Sequence, residues 1–284
     1  MPKILTVDFK SSSASEDFFK SLKETGFGVV KNHPVSNKLR EEVFAEWAKF
    51  FYSDEKLDHM FKRDFDRVQD GYFPPEVAEK AKGAEVLDLK EFYQYYPIAP
   101  LPKSLSGKTK ELRAQMLEMG KTLLNWVEAE LPNEVSERLS MPLSKMVDDQ
   151  EQTQLRILHY PPLTGDAPEG AVRAAAHEDI NLMTLLVSAT AAGLQALHTS
   201  GKWYDVPCDP GAIAVNTGDM LQEATGHYLT ATKHRVINPE DEEAKKSRFS
   251  IPLFIHPKPD VKLSERHTQQ SYLHERLEEL GLLS

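Results

Sequence analysis

At Gln154 the hydrophobic pattern of the chain changes from a helical to an alternating period, and this switch constrains the fold more than any other feature. Before it, apolar residues recur at spacings of three and four. Phe18, Phe19 and Leu22 stripe a first predicted helix that Gly26 stops. Ser36 is placed to cap a second, carrying Leu39, Val43, Phe44, Trp47, Phe50 and Phe51 on one side. Leu112, Met116, Met119, Leu123, Leu124, Trp126 and Val127 mark a third over Thr109–Leu131, ended by Pro132, and a short helix is expected from Val135 to Pro142. Short strands are expected over Lys3–Phe9 and Phe27–Val30. After the switch, segments 154–160, 171–178, 182–188, 193–198, 202–206, 211–215, 230–237 and 247–256 read as strands separated by Gly, Pro and Asp turns. Short strands in this number after a run of helices predict an α+β fold. Its core is a double-stranded β-helix, or jelly roll, buttressed by helices mostly from the N-terminal half. We read residues 1–284 as one domain, with a helix-rich part at 1–150, a jelly-roll core at 151–260 and a C-terminal helix within 261–284.

Two imidazoles and a carboxylate stand out in the strand-rich part. On a strand, residues i and i+2 face the same way, so His177 and Asp179 can converge on one ion while Glu178 faces away. His234 lies 57 residues further on, far enough for several strands to return the chain to the same end of a barrel. Two histidines and one carboxylate cover one face of an octahedron and leave the remaining positions open, the donor set of non-haem iron(II) oxygenase centres. A lone His-x-Asp carries little weight in a chain with ten histidines, so the reading leans on its linkage to a second feature. Arg248 and Ser250 supply it. They share one strand face in an otherwise apolar segment, where a guanidinium fork and a hydroxyl call for a carboxylate to offset the cost of burial.

These features sit in an ordered series. Gly26 to His33 comes first, then Leu155-Arg156-Ile157-Leu158-His159-Tyr160-Pro161, then the run from Ala176 through His177, Asp179 and Thr184. Gly193-Leu194-Gln195, Trp203, Val206-Pro207, Pro210-Gly211, Asn216-Thr217-Gly218-Asp219, His234-Arg235 with Asn238-Pro239, and Arg248 to Phe254 follow. In this series the chain resembles the isopenicillin N synthase-like branch of the iron(II)/2-oxoglutarate-dependent oxygenases, over nearly its whole length.

The resemblance implies Fe(II) on His177, Asp179 and His234 as the catalytic metal ligands. It implies 2-oxoglutarate with its distal carboxylate on Arg248 and Ser250, the Tyr160 hydroxyl as a third contact, and its keto oxygen and near carboxylate on the iron. With O2 as oxidant, the expected products are succinate, CO2 and a small-molecule substrate, amino-acid-like or a natural product, that has been hydroxylated, desaturated or cyclised. Asp179 argues against halogenation, because the related halogenases lack this carboxylate. Leu158 departs from plant relatives, which often carry Asn there as a co-substrate contact. An Arg-x-Ser pair also holds a substrate's own carboxylate in isopenicillin N synthase-type oxidases that use no 2-oxoglutarate. That oxidase is the alternative reading, and a non-catalytic jelly-roll binding protein is the reading from another class.

Composition narrows the partners. A formal net charge of −10, with no Lys/Arg stripe, argues against nucleic acid. A single cysteine, Cys208, and the lack of a signal-peptide-like or long apolar run point to the cytoplasm and away from the membrane. Gln69, Tyr72 and Tyr93 are candidate substrate contacts, although the aromatic run Glu91–Tyr96 reads chiefly as an edge packed on the barrel. The loop at 161–170, just before the ligand strand, is placed to cover the mouth. The other eight histidines are left unassigned: His159 faces away from Tyr160 by alternation, and His227 is a turn residue. Tyr272, Leu273, Leu277 and Leu280 stripe a helix over Thr268–Leu280, which packs on the barrel or on a neighbouring subunit.

Overall fold

A computed structural model of the chain describes residues 3–62, 69–77, 88–163, 172–187, 190, 192–239 and 241–279. The N-terminal half contains β1 (Thr6–Asp8), α1 (Ala14–Thr25), β2 (Phe27–Lys31), α2 (Asn37–Phe51), α3 (Glu55–Asp58), β3 (Gly71–Phe73), β4 (Glu91–Tyr95), α4 (Lys108–Glu130), α5 (Asn133–Ser136) and α6 (Leu143–Met146). The remainder contains β5 (Gln154–Tyr160), β6 (Ala174–His177), β7 (Met183–Val187), β8 (Leu194–Leu197), β9 (Trp203–Asp205), β10 (Ile213–Thr217), α7 (Asp219–Ala224), β11 (His234–Val236), α8 (Asp241–Ala244), β12 (Arg248–Ile255) and α9 (Gln269–Glu279).

The strands form two sheets. The larger has eight strands in the order β1-β2-β10-β7-β12-β5-β4-β3, and the smaller has four, β6-β11-β8-β9. They face each other as a jelly roll. Phe27 of β2 meets His234 of β11 edge-on with ring centroids 5.6 Å apart, and one apolar cluster joins Phe27, Val29 and Ala214 of the large sheet to Ala196 of the small one.

Strand alternation divides the large sheet into a dry face and a functional face. On β12, Phe249, Ile251, Leu253 and Ile255 enter the main core, where they meet Leu112, Met116 and Leu123 of α4 and Trp47 of α2. Arg248, Ser250, Pro252 and Phe254 take the opposite face, between the sheets. The helices thus bury one side of the sheet and leave the polar positions to the interior of the roll.

The helix punctuation follows the sequence. Ser36 caps α2 by accepting from the Leu39 amide at 3.2 Å. Gly26 ends α1 in the left-handed region at φ 70°, and a Cβ there would lie 2.0 Å from Thr232 Oγ1, so this position excludes side chains on two grounds. The expected helix from Val135 to Pro142 is instead two single turns, α5 and α6. Pro132 and Pro142 stand immediately before them, and Pro142 cannot continue the first.

β4 is not an edge, because β3 pairs outside it. The expected strand 230–237 shortens to β11, whose pairing with β6 shifts register between His234 and Val236. Between β11 and β12, residues 241–244 form the single-turn α8. α9 packs on the barrel, with Tyr272 joining the main core. Residues 164–170 of the expected mouth loop, residue 171 of the expected strand 171–178, and Leu280 lie outside the described residues.

Candidate metal centre

β6 ends at His177 and β11 begins at His234, and the two residues are cross-strand partners. Their rings lie 4.4 Å apart between centroids. Asp179 falls just past the end of β6, so the strand alternation expected for the pair gives way to a turn. The turn is fixed by backbone bonds: the Asp219 amide donates to the Asp179 carbonyl at 2.9 Å, and the Gly218 amide to Leu182 at 3.0 Å. As a result Asp179 Oδ1 lies 3.8 Å from His177 Nε2 and 3.7 Å from His234 Nε2. One ligand atom from each of the three residues falls within 4.8 Å of the others.

The remaining polar atoms of the three side chains are already engaged. His177 Nδ1 bonds the Ala175 carbonyl at 2.8 Å, and His234 Nδ1 bonds that of Thr232 at 3.1 Å. A carbonyl only accepts, so both rings carry the proton on Nδ1 and present an Nε2 lone pair. Asp179 Oδ2 accepts from Thr184 Oγ1 at 2.6 Å and Asn216 Nδ2 at 2.8 Å, while Asn181 Nδ2 donates to Thr184 Oγ1 at 2.8 Å. This leaves Oδ1 to face the imidazoles.

Burial, reinforced by the neighbouring His234, pushes the His177 imidazole down to about 4. The Asp179 carboxyl is opposed by burial but held below its ordinary value by the two imidazoles and by Thr184 and Asn216. The protonation states are those that metal ligation requires. The His177 side chain is 39% exposed against 10% for His234, so the centre opens on the His177 side.

Deeper between the sheets, Arg248 pairs with Tyr160 and Ser250 with Leu158 across β12 and β5. Arg248 and Ser250 are buried, and the Arg248 Cζ lies 4.9 Å from the Tyr160 ring centroid. Glu242 and Glu243, the sequence-adjacent acids that could have drawn Arg248 to the surface, pair instead with Lys245 and Lys246 at 2.6 Å each. A guanidinium, a hydroxyl and a phenol therefore share one wall. Together they could hold a carboxylate.

Tyr72 and Tyr93 lie on the other side of the large sheet. Tyr93 packs on Trp47 with centroids 4.9 Å apart, and the Tyr72 hydroxyl donates to Glu91. His159 also faces the helices, with Nδ1 2.6 Å from Glu91 Oε1 and Nε2 3.0 Å from Ser247 Oγ. His227 is a turn residue with φ 64°. The Gln69 carbonyl accepts from the Gln94 side chain.

Several residues of the inner wall had not been singled out from sequence. Arg156 lies 4.6 Å from the centroid of Phe92 and 5.2 Å from that of Phe254, and it donates to Gln94 Oε1 at 2.6 Å. Lys90 forms a buried pair with Asp88 at 2.7 Å, and Asp88 also accepts the Ala175 amide of the ligand strand at 2.9 Å. Alternation from Tyr160 puts Arg156 on the inner face and would have found it. The supporting roles of Thr184 and Asn216 needed the tertiary structure.

An open-faced centre of two imidazoles and one carboxylate, at one end of a jelly roll with a buried arginine beyond it, defines the class of non-haem iron oxygenases. Comparison with known proteins agrees. The model of the 2OG-Fe(II) oxygenase superfamily matches residues 152–257, and that of the non-haem dioxygenase N-terminal region, described from morphine synthesis, matches 5–118. A 2-oxoglutarate-Fe(II) type oxidoreductase from Aspergillus fumigatus is 30% identical over 261 residues, covering 83% of this chain and 74% of its own. A proline hydroxylase from Petromyces alliaceus is 26% identical over 263 residues, covering 87% and 82%. The solved structure of a candidate oxygenase from Shewanella oneidensis is 47% identical with a TM-score of 0.89, covering 99% of this chain and all of that one. The chain belongs to the 2-oxoglutarate- and iron(II)-dependent oxygenase superfamily. It is a non-haem dioxygenase that uses Fe(II) and 2-oxoglutarate, acts on a small-molecule substrate by hydroxylation-type chemistry and releases succinate and CO2. Among the described residues, no helix is long and apolar enough to cross a membrane.

Proposed function

We propose that His177, Asp179 and His234 are the iron(II) ligands of this enzyme, and that Arg248, Ser250 and Tyr160 receive the distal carboxylate of 2-oxoglutarate. The observation that carries the assignment is the division of labour in the triad. Both Nδ1 atoms and Asp179 Oδ2 are spent on protein partners, while two Nε2 lone pairs and Oδ1 converge within 4.8 Å of one another. The donor set fits iron(II), with open positions left for a chelating keto acid and O2.

When bound, iron(II) and 2-oxoglutarate together supply the O2 activation that couples release of succinate and CO2 to oxidation of a C–H bond. The chain's residues do the rest. Thr184 and Asn216 hold Asp179 in orientation, and Ala175 and Thr232 fix both imidazole tautomers through their carbonyls. Arg248 and Ser250 would hold the co-substrate by its far carboxylate. Phe92 and Phe254, with Arg156 between them, form the wall beside the centre on which a small substrate rests. An amino-acid-like substrate is supported by the relative named as a proline hydroxylase. We place the enzyme in the cytoplasm, where a reducing environment keeps iron ferrous and suits a chain whose single cysteine has no second cysteine to pair with.

The assignment predicts that O2 consumption and succinate formation require added 2-oxoglutarate and collapse in His234→Ala and Asp179→Ala. Oxygen uptake with substrate but without the keto acid would favour the oxidase alternative. Keto-acid decarboxylation that survives His234→Ala unchanged would overturn the ligand assignment.

A further inference from the structure

Arg173 precedes β6 and is 1% exposed, which makes it one of the largest fully buried side chains, together with Arg248. Its backbone amide donates to Asn238 Oδ1 at 3.0 Å, and its Nη2 to the carbonyl of Lys246, two residues before Arg248, at 3.1 Å. These bonds draw the side chain from the small sheet across to the end of β12. Its Nε is buried with no hydrogen-bond partner. Its Cζ lies 5.9 Å from the centroid of the Tyr160 ring, the same ring that Arg248 approaches at 4.9 Å.

Two guanidiniums therefore meet at one buried phenol, and neither can shed its charge at any ordinary pH. Among the described residues, the acid whose field reaches Arg173 is Glu243, which is 59% exposed and already bound to Lys246. Burial first, and then the charge of Arg248, press on Arg173 to lose its proton. A buried cation beside another of like sign is retained at a cost, and an anion placed between them removes much of it.

We propose that Arg173 is a second cation of the acid-binding pocket, acting with Arg248 on the distal carboxylate of 2-oxoglutarate. The inference rests on the assignment of Arg248, Ser250 and Tyr160 to that carboxylate and extends it. Two guanidiniums at the Tyr160 ring then serve one carboxylate. The pocket thereby discriminates strongly between a dicarboxylic keto acid and a keto acid with an uncharged tail. Arg173 is a binding residue in this account and takes no part in the reacting bonds.

The test uses anaerobic iron-loaded protein titrated with 2-oxoglutarate and, separately, with 2-oxobutyrate, which lacks the distal carboxylate. Arg173→Gln is expected to weaken 2-oxoglutarate by about 10-fold or more while leaving 2-oxobutyrate and Fe(II) affinity within about 2-fold. Arg173→Lys, which keeps the charge without the fork, is expected to fall between wild type and Gln and serves alone if the Gln variant does not fold. Unchanged 2-oxoglutarate affinity in these variants, or equal weakening of both keto acids, overturns the proposal. Arg248→Gln runs in parallel. If it loses 2-oxoglutarate while Arg173→Gln does not, only the role of Arg173 fails. If Arg248→Gln also binds 2-oxoglutarate normally, the carboxylate pocket itself is misassigned and the inference falls with it.

Discussion

The centre is held by atoms that never touch the metal. Thr184 and Asn216 both bond the outer oxygen of Asp179, at 2.6 and 2.8 Å. Losing either lets the carboxylate rotate, and partners of this kind typically contribute 10–100-fold in metal affinity. Thr184→Val, close in shape but without the hydroxyl, is expected to weaken Fe(II) by about 10–100-fold, read by anaerobic titration, with about 1–3 kcal/mol lost in stability because the buried Asn181 amide also loses its acceptor. Normal metal affinity in Thr184→Val would remove this support from the account.

The His177 imidazole gives a pH dependence. His177 in the fold titrates at about 4, below its ordinary value of 6.5. Between those values the unfolded chain takes up a proton that the native metal-free protein refuses, so stability falls as pH drops through that window and the loss ends below it. Thermal melts of metal-free wild type and His177→Asn should diverge accordingly, with the wild type losing more between pH 6.5 and 4. Parallel melting curves across that range would contradict the direction. From sequence, the ligand residues could be singled out because their chemistry is unusual in a strand. Asn216 and Thr184 could not be given roles, because hydrogen bonds to an ion ligand 37 and 5 residues away leave no local trace.

At the scale of elements, the site depends on one close approach. Gly218, between β10 and α7, lies where a Cβ would stand 2.1 Å from the Asn181 carbonyl oxygen and equally near its side-chain oxygen. Asn181 supports Thr184, which supports Asp179. Gly218→Ala is therefore expected to displace the ligand turn and to lower metal affinity and turnover together, by about 10-fold or more, while circular dichroism stays native. Wild-type turnover in this variant would show that the turn tolerates the methyl group.

Helices and strands were legible here to unequal degrees. The sequence reading of α4 and α2 holds to within a residue or two, because their apolar stripes repeat over several turns and Ser36 and Pro132 each mark one end. β11 came out shorter than expected, since residues 230–233 look as β-prone as His234–Val236 and only the pairing of the latter with β6 and β8 separates them. Asp179 was read as a strand position, and the turn that holds it is made by amides from α7, far away in sequence. Tyr72 and Tyr93 looked like pocket residues because aromatic strands look the same on either face. The register of β4 on β5 puts them against α2 instead.

At the scale of the molecule, the fold separates stability from chemistry by the two faces of one sheet. The helix side carries the main core, and the inner side carries Arg248 and Arg156 and faces the small sheet, to which His177, His234 and the neighbouring Asp179 and Arg173 belong. A chain with a formal net charge of −10 thus gathers cations and a metal-ligand set in its interior. This disposition suits an anionic keto acid and a divalent ion drawn inward from solvent.

The most direct check on this arrangement is anaerobic Fe(II) titration of the metal-free protein, wild type against His177→Ala, Asp179→Ala and His234→Ala, with folding confirmed for each. The account predicts saturable uptake at one site in the wild type and its loss in all three variants. Undiminished uptake in any of the three would contradict it.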